Sequence, residues 1–236
     1  MDRNRWIIFA VLCIGIVAGL VLLSGKDKID VSNIDATKID TTSPIKDHVS
    51  GNTNSKIVII EYADFQCPGC TAAYPQLKAI SSEYKDHVAF VYRNFPLTSA
   101  HQHAFAAAAT AEAAGLQGKY WEMYNQLFIN HDSWSSLSPE QRNTAFESYA
   151  SQLGLNLDQF RTDLSSKQVT NKINTDRALG IKVSVDSTPT LFINGIKVES
   201  SIVSNVMQKN GDLLRDELDK LIVQNGGTPP TRATAQ

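Results

Sequence analysis

Residues 56–70, KIVIIEYADFQCPGC, set the reading of the whole chain. Lys56 to Tyr62 is a short run rich in β-branched residues, the pattern of a strand buried on both faces. Cys67-Pro68-Gly69-Cys70 follows, and from Ala72 to Tyr84 apolar residues, Leu77 and Ile80 among them, fall at helical spacing. A strand therefore runs into a helix across a C-x-x-C. Two cysteines at i and i+3 of a helix lie about 5–6 Å apart, within the separation a disulfide tolerates. Cys67 stands at the helix N-terminus, where free N–H groups and the helix dipole favour a thiolate. Pro68 suits the first turn because it has no N–H to leave unpaired. Cys67 reads as an exposed nucleophile and Cys70, one turn inward, as the resolving thiol.

Taken alone, the motif leaves alternatives open, because half of a zinc site has the same spacing. His101 and His103 are candidate further ligands, but they head a helix and no second C-x-x-C accompanies them. A structural disulfide is disfavoured by its small loop, since loop-closure entropy favours long loops. The order strand, C-x-x-C, helix favours redox chemistry, with no metal.

Outward from this stretch the periods alternate. Val88–Tyr92 predicts a second strand, and a long helical stretch runs from about 100 to 130 with a break near Gly115-Leu116-Gln117-Gly118. Ser138-Pro139-Glu140-Gln141 opens another helix with a Ser N-cap, Pro at N1 and Gln at N3, and helical segments cover 138–153 and 157–179. Thr190–Ile193 reads as a strand, Asn194-Gly195 as a type I′ turn and Ile196–Val198 as its partner, before a closing helix over 204–224. In order this is β-α-β, a helical block, then β-β-α: an α/β sheet of three or four strands with an all-helical insertion.

The 236 residues, 42 % hydrophobic and 19 % charged, suit one globular core with trimmings. A net charge of −2 leaves no basic excess for a nucleic-acid partner. Three cysteines are too few for a disulfide scaffold. Before the domain, Trp6–Leu23 carries no charge and no proline, and its eighteen residues span roughly 27 Å as a helix, close to the thickness of a bilayer core. The following Leu22-Leu23-Ser24-Gly25-Lys26 is a poor cleavage site, so 6–23 reads as an uncleaved transmembrane signal anchor in the lipid bilayer, with 1–5 as a cytoplasmic tail. Arg3 and Arg5 before the span nearly balance Lys26 and Lys28 after it, so charge alone does not orient it. Residues 24–50 read as a flexible tether, 51–225 as the domain and 226–236 as a disordered tail.

Phe65-Gln66-Cys67-Pro68-Gly69-Cys70, with Thr188-Pro189-Thr190 downstream, resembles the DsbA family of thiol–disulfide oxidoreductases. Asn94-Phe95-Pro96-Leu97, His101 and Gln117-Gly118-Lys119-Tyr120-Trp121-Glu122-Met123 are similar to that family's landmarks in the intervening segment. The resemblance implies a thioredoxin fold with a helical insertion at about 98–180, and a redox-active Cys67–Cys70 disulfide with no other cofactor. It implies that Pro189 is a cis-proline that binds substrate backbone beside Thr188, Pro68 and Gly69, with Phe65 at the rim or in the core. It also assigns Glu61 as a buried acid relaying the proton of Cys70, where the residue pattern alone also allows a solvated carboxylate at a strand end. His101, at a helix start, reads as structural.

Two departures stand out: no His lies between the cysteines to stabilise a thiolate, and the exported region has no third cysteine. The expected activity is disulfide introduction or exchange in exported proteins on the extracytoplasmic face, with reoxidation by a quinone-coupled membrane protein of the DsbB or VKOR kind. The alternatives are a reductase or isomerase using the same site, or a non-catalytic tethered binding or metal-carrier module.

Overall fold

The computed structural model describes residues 9, 12–15, 29–208 and 210–232. Most of the expected cytoplasmic tail and transmembrane segment, 1–5 and 6–23, lies outside them. Phe9 and residues 12–15 are helical, and among the described residues no helix is long and apolar enough to cross a membrane. Residues 1–30 form one unit and 31–236 another; the second carries the fold.

Its centre is a five-stranded sheet of β1 (Val49–Gly51), β2 (Ile57–Ala63), β3 (Val88–Asn94), β4 (Thr190–Ile193) and β5 (Ile196–Lys197), in the order β1-β3-β2-β4-β5. Strands β2 and β3 run parallel across the α1 (Pro68–Glu83) crossover, and the other neighbours pair antiparallel. The helices α2 (Ala104–Gly115), α3 (Tyr120–Ile129), α4 (His131–Trp134), α5 (Pro139–Gln152), α6 (Leu157–Leu164) and α7 (Lys167–Lys182) fall between β3 and β4, and α8 (Ser200–Gln208) and α9 (Asp212–Gln224) close the chain. The predicted capping box holds α5: Ser138 Oγ accepts the Gln141 N–H at 3.3 Å while Gln141 Oε1 accepts the Ser138 N–H at 3.2 Å. Asn194 and Gly195 take φ of 49° and 81°, the paired positive values of a type I′ hairpin.

The sheet is covered on both faces. Ile57, Ile59, Phe90 and Leu191 pack with Leu77 and Ile80 of α1 and Leu214 and Leu218 of α9. Ile60, Tyr62, Val91 and Phe192 meet Leu179 of α7 and Ala36 on the other side. A third cluster fills the helical insertion and runs up to Phe65, Cys67, Cys70 and Tyr92, so the C-x-x-C sits where the insertion meets the sheet.

Several expectations change. The sheet has five strands because β1, too short to show a period, pairs with β3. The helix expected over 157–179 is two, with Ser166 capping the second by accepting the Val169 N–H, and the closing helix breaks at Gly211, which has φ 72°. The tether expected over 24–50 is packed from Val31 onward. Arg93 of β3, fully buried, donates to the Ala36 carbonyl at 2.7 Å, the Lys38 carbonyl at 2.6 Å and Asp47 at 2.8 Å, and Lys172 of α7 adds a 2.9 Å pair to Asp47. A polar segment without periodicity is thus held as a strap by cations distant in sequence. Likewise the tail expected to be disordered is placed as far as Arg232, which pairs with Asp216 at 2.7 Å and with Asp219 of α9.

Candidate active site

Cys67 is the N-cap of α1, in extended conformation, with Pro68 opening the first turn. The two cysteines are free thiols. Cys67 is 7 % exposed and Cys70 fully buried. Cys67 is therefore more enclosed than the exposed nucleophile expected, although the order of access is as expected. Pro68 is exposed and Gly69 half-buried beside it.

Electrostatics separate the two sulfurs sharply. The Cys70 thiol and the backbone N–H groups of Cys70 and Gly69 hold the Cys67 thiol down at about 5, against the opposing effect of burial. Helix-start donors and a neighbouring thiol thus supply stabilisation that a His in the dipeptide would otherwise give. Burial, followed by the charge of Cys67, pushes the Cys70 thiol far up. One sulfur is a thiolate at neutral pH and its partner stays protonated.

Glu61, one of the β2 residues facing α1, is 1 % exposed, which excludes the solvated strand-end alternative. Burial and the Cys67 charge push its carboxyl up to about 8, and among the described residues its Oε2 has no hydrogen-bond partner. Its charge in turn adds to the forces that raise the proton affinity of Cys70. Thr188-Pro189 is a cis peptide, and the Thr188 carbonyl accepts from the Cys67 thiol at 3.4 Å. The Gly69 Cα side faces this loop: a Cβ there would lie 3.4 Å from Pro189 and 3.5 Å from Met207.

Phe65 is corrected from rim to core. It is 1 % exposed and packs on Tyr92 and Phe128 at ring separations of 4.7 and 5.0 Å, so it offers no surface to a substrate. His101 and His103, candidates for completing a zinc site, are engaged elsewhere. His101 Nδ1 lies 2.7 Å from Asp64, and His103 bonds to the Leu137 carbonyl at 2.8 Å and faces Arg142 at 2.8 Å.

Three residues of the site were not singled out by the sequence reading. Gln66 ties the approach to Cys67 to the helical insertion: its amide donates to the Ser135 carbonyl at 2.7 Å, its Oε1 accepts the His103 N–H at 2.6 Å, and its carbonyl accepts from His131 at 3.1 Å. Tyr92, the register partner of Glu61, is buried beside Cys70 and Glu61, and burial with their charges pushes its hydroxyl up. Asp64 contacts both cysteines through its backbone, its carbonyl accepting the Cys67 N–H at 3.0 Å and its N–H reaching Cys70 Sγ at 3.5 Å. An acid three residues before a C-x-x-C is the signal that was available for it.

A thioredoxin-type sheet with an acidic thiol paired with a buried one at the start of a helix makes a dithiol site fit for thiol–disulfide exchange. The family model described as Thioredoxin matches residues 43–210, and the chain belongs to that family. Among solved structures it is similar to a thioredoxin-like oxidoreductase from Silicibacter pomeroyi, at 25 % identity and a TM-score of 0.55, covering 72 % of this chain and 92 % of that one. The fold is shared with the thiol-disulfide exchange protein alpha-DsbA2 from Wolbachia pipientis, at 21 % identity, a TM-score of 0.61 and coverage of 81 % and 93 %. A relative, the Na(+)/H(+) antiporter NhaA 1 of Mycolicibacterium vanbaalenii, is 37 % identical over 158 residues, 65 % of this chain and 24 % of that protein. The chain thus spans about a quarter of the length of the curated relatives it matches.

Proposed function

We propose that the protein introduces or exchanges disulfides in exported proteins from the extracytoplasmic face of a membrane, tethered through residues 6–23. The observation carrying this is the contrast between an acidic Cys67, near 5, and a strongly basic, buried Cys70. In the oxidising direction a substrate thiolate attacks Cys67 Sγ, the Cys67–Cys70 bond breaks, and its electron pair goes to Cys70. Cys70 takes its proton from Glu61, which at about 8 is mostly protonated at pH 7. A second substrate thiolate then attacks the substrate sulfur of the mixed disulfide and expels Cys67 as a stabilised thiolate. Two substrate thiols become one disulfide and the enzyme disulfide becomes a dithiol. Cys70 resolves the mixed disulfide only in the reverse direction.

The apolar run 6–23 supports the tether, and the oxidising compartment such chemistry needs supports an N-terminus inside and a domain outside. Net turnover requires a membrane partner that accepts the two electrons, of the quinone-coupled DsbB or VKOR kind. The test is the reduction potential of Cys67–Cys70 equilibrated against glutathione. A Cys67 near 5 lies between the thiols of DsbA and thioredoxin, so the expected potential falls between about −120 and −270 mV. A value near or below −270 mV would make the protein a reductase instead. Wild-type oxidation of thiol peptides by Cys67→Ser would end the reading altogether.

A further inference from the structure

We infer that Asp64 and His101 form a positioning pair for Cys70, the anchored Asp64 carboxylate aiming that residue's own N–H at the sulfur where thiolate charge appears; this rests on the oxidoreductase reading above. Every polar group of Asp64 is committed. Oδ1 accepts the Gln66 N–H at 2.8 Å, and Oδ2 accepts the Leu97 N–H at 2.9 Å and His101 Nδ1 at 2.7 Å. Its carbonyl takes the Cys67 N–H at 3.0 Å, leaving its N–H directed at Cys70 Sγ, 3.5 Å away. The residue is a fixed joint between the loop after β3 and the two sulfurs.

Cys70 needs such a donor. Cys67 at the N-cap of α1, Glu61 from β2 and the Tyr92 and Tyr124 hydroxyls from β3 and α3 lie around it, and burial, Cys67 and Glu61 all oppose a negative sulfur there. The Asp64 N–H acts in the opposite sense. A donor held in place before the charge develops stabilises it without reorganisation, the principle of an oxyanion hole. The donor is backbone and cannot be deleted, but its aim depends on the carboxylate, and His101 is the member of that set reachable at the surface, 19 % of its side chain being exposed.

The test uses the full chain, reduced and mixed with glutathione disulfide. In the first phase Cys67 thiolate attacks the glutathione disulfide and releases one glutathione. In the second, Cys70 loses its proton, attacks Cys67 Sγ and expels the other glutathione as thiolate. His101→Ala should slow the second phase at least tenfold at pH 7 and move its pH midpoint upward, leaving the first within twofold. His101→Asn, which keeps a short N–H donor, should restore most of the rate. Asp64→Ala should show the larger effect, and if it does not fold the His101 pair decides. An unchanged second phase in folded His101→Ala, or both phases slowed equally, would overturn the assignment. A wild-type protein that forms no mixed disulfide would overturn the oxidoreductase reading instead.

Discussion

Glu61 is where one residue's environment alters the behaviour of the protein. Its carboxyl ionises near 4.5 in an unfolded chain and at about 8 in the fold. Between those values the folded protein keeps a proton that the unfolded chain has lost, so raising the pH favours unfolding. The contribution is fully present below about 4.5 and gone above about 8. Glu61→Gln cannot ionise, so its stability should match the wild type near pH 5 and exceed it at pH 9, by on the order of a few kcal/mol. Melting curves at the two pH values check this, and parallel slopes would contradict the buried acid. In the proposed mechanism the same substitution removes the proton donor to Cys70, so the more stable protein should exchange disulfides more slowly.

Packing constraints show best at the level of elements. Helix α7 lies against the sheet through Gly180, where a Cβ would come within 2.7 Å of Phe95 and 3.0 Å of Tyr62. Both rings belong to the core beneath the helix, so Gly180→Ala should destabilise by about 1–3 kcal/mol through overpacking, read as a lower urea midpoint with unchanged slope. The strap before β1 depends on charge instead. Asp47 accepts from Arg93 and from Lys172, and although burial opposes ionisation these cations hold its carboxyl at about 2. Asp47→Ala leaves two buried cations short of a partner and should cost about 3–5 kcal/mol. Residues 31–47 should then exchange amide hydrogens far faster than the sheet does.

For the whole molecule, local pattern carried the architecture and the redox pair. Strand, C-x-x-C and helix are contiguous, the Asn194-Gly195 turn needs only two residues, and Glu61 and Pro189 came with a family resemblance. What stayed hidden depends on partners far apart in the chain. Arg93 and Lys172 turn an apparent tether into a strap, and His101 and Gln66 bind the redox loop to the helical insertion. Phe65 was ambiguous because an aromatic beside a reactive cysteine reads alike on a rim or in a core, until Tyr92 and Phe128 enclose it.

The low value of Cys67 also bears on which redox form is the firmer one. A thiol that ionises near 9 when unfolded and at about 5 when folded favours the reduced fold above about pH 9, an advantage that fades as pH drops to 5. At pH 7 about half of it remains, on the order of a few kcal/mol, while the short disulfide loop offers the oxidised form little entropy in return. The dithiol protein should therefore melt higher than the disulfide protein at pH 7, with the gap narrowing towards pH 5, as calorimetry of the two forms would record. At neutral pH the disulfide form is then the one under tension, and opening the Cys67–Cys70 bond lets the fold relax.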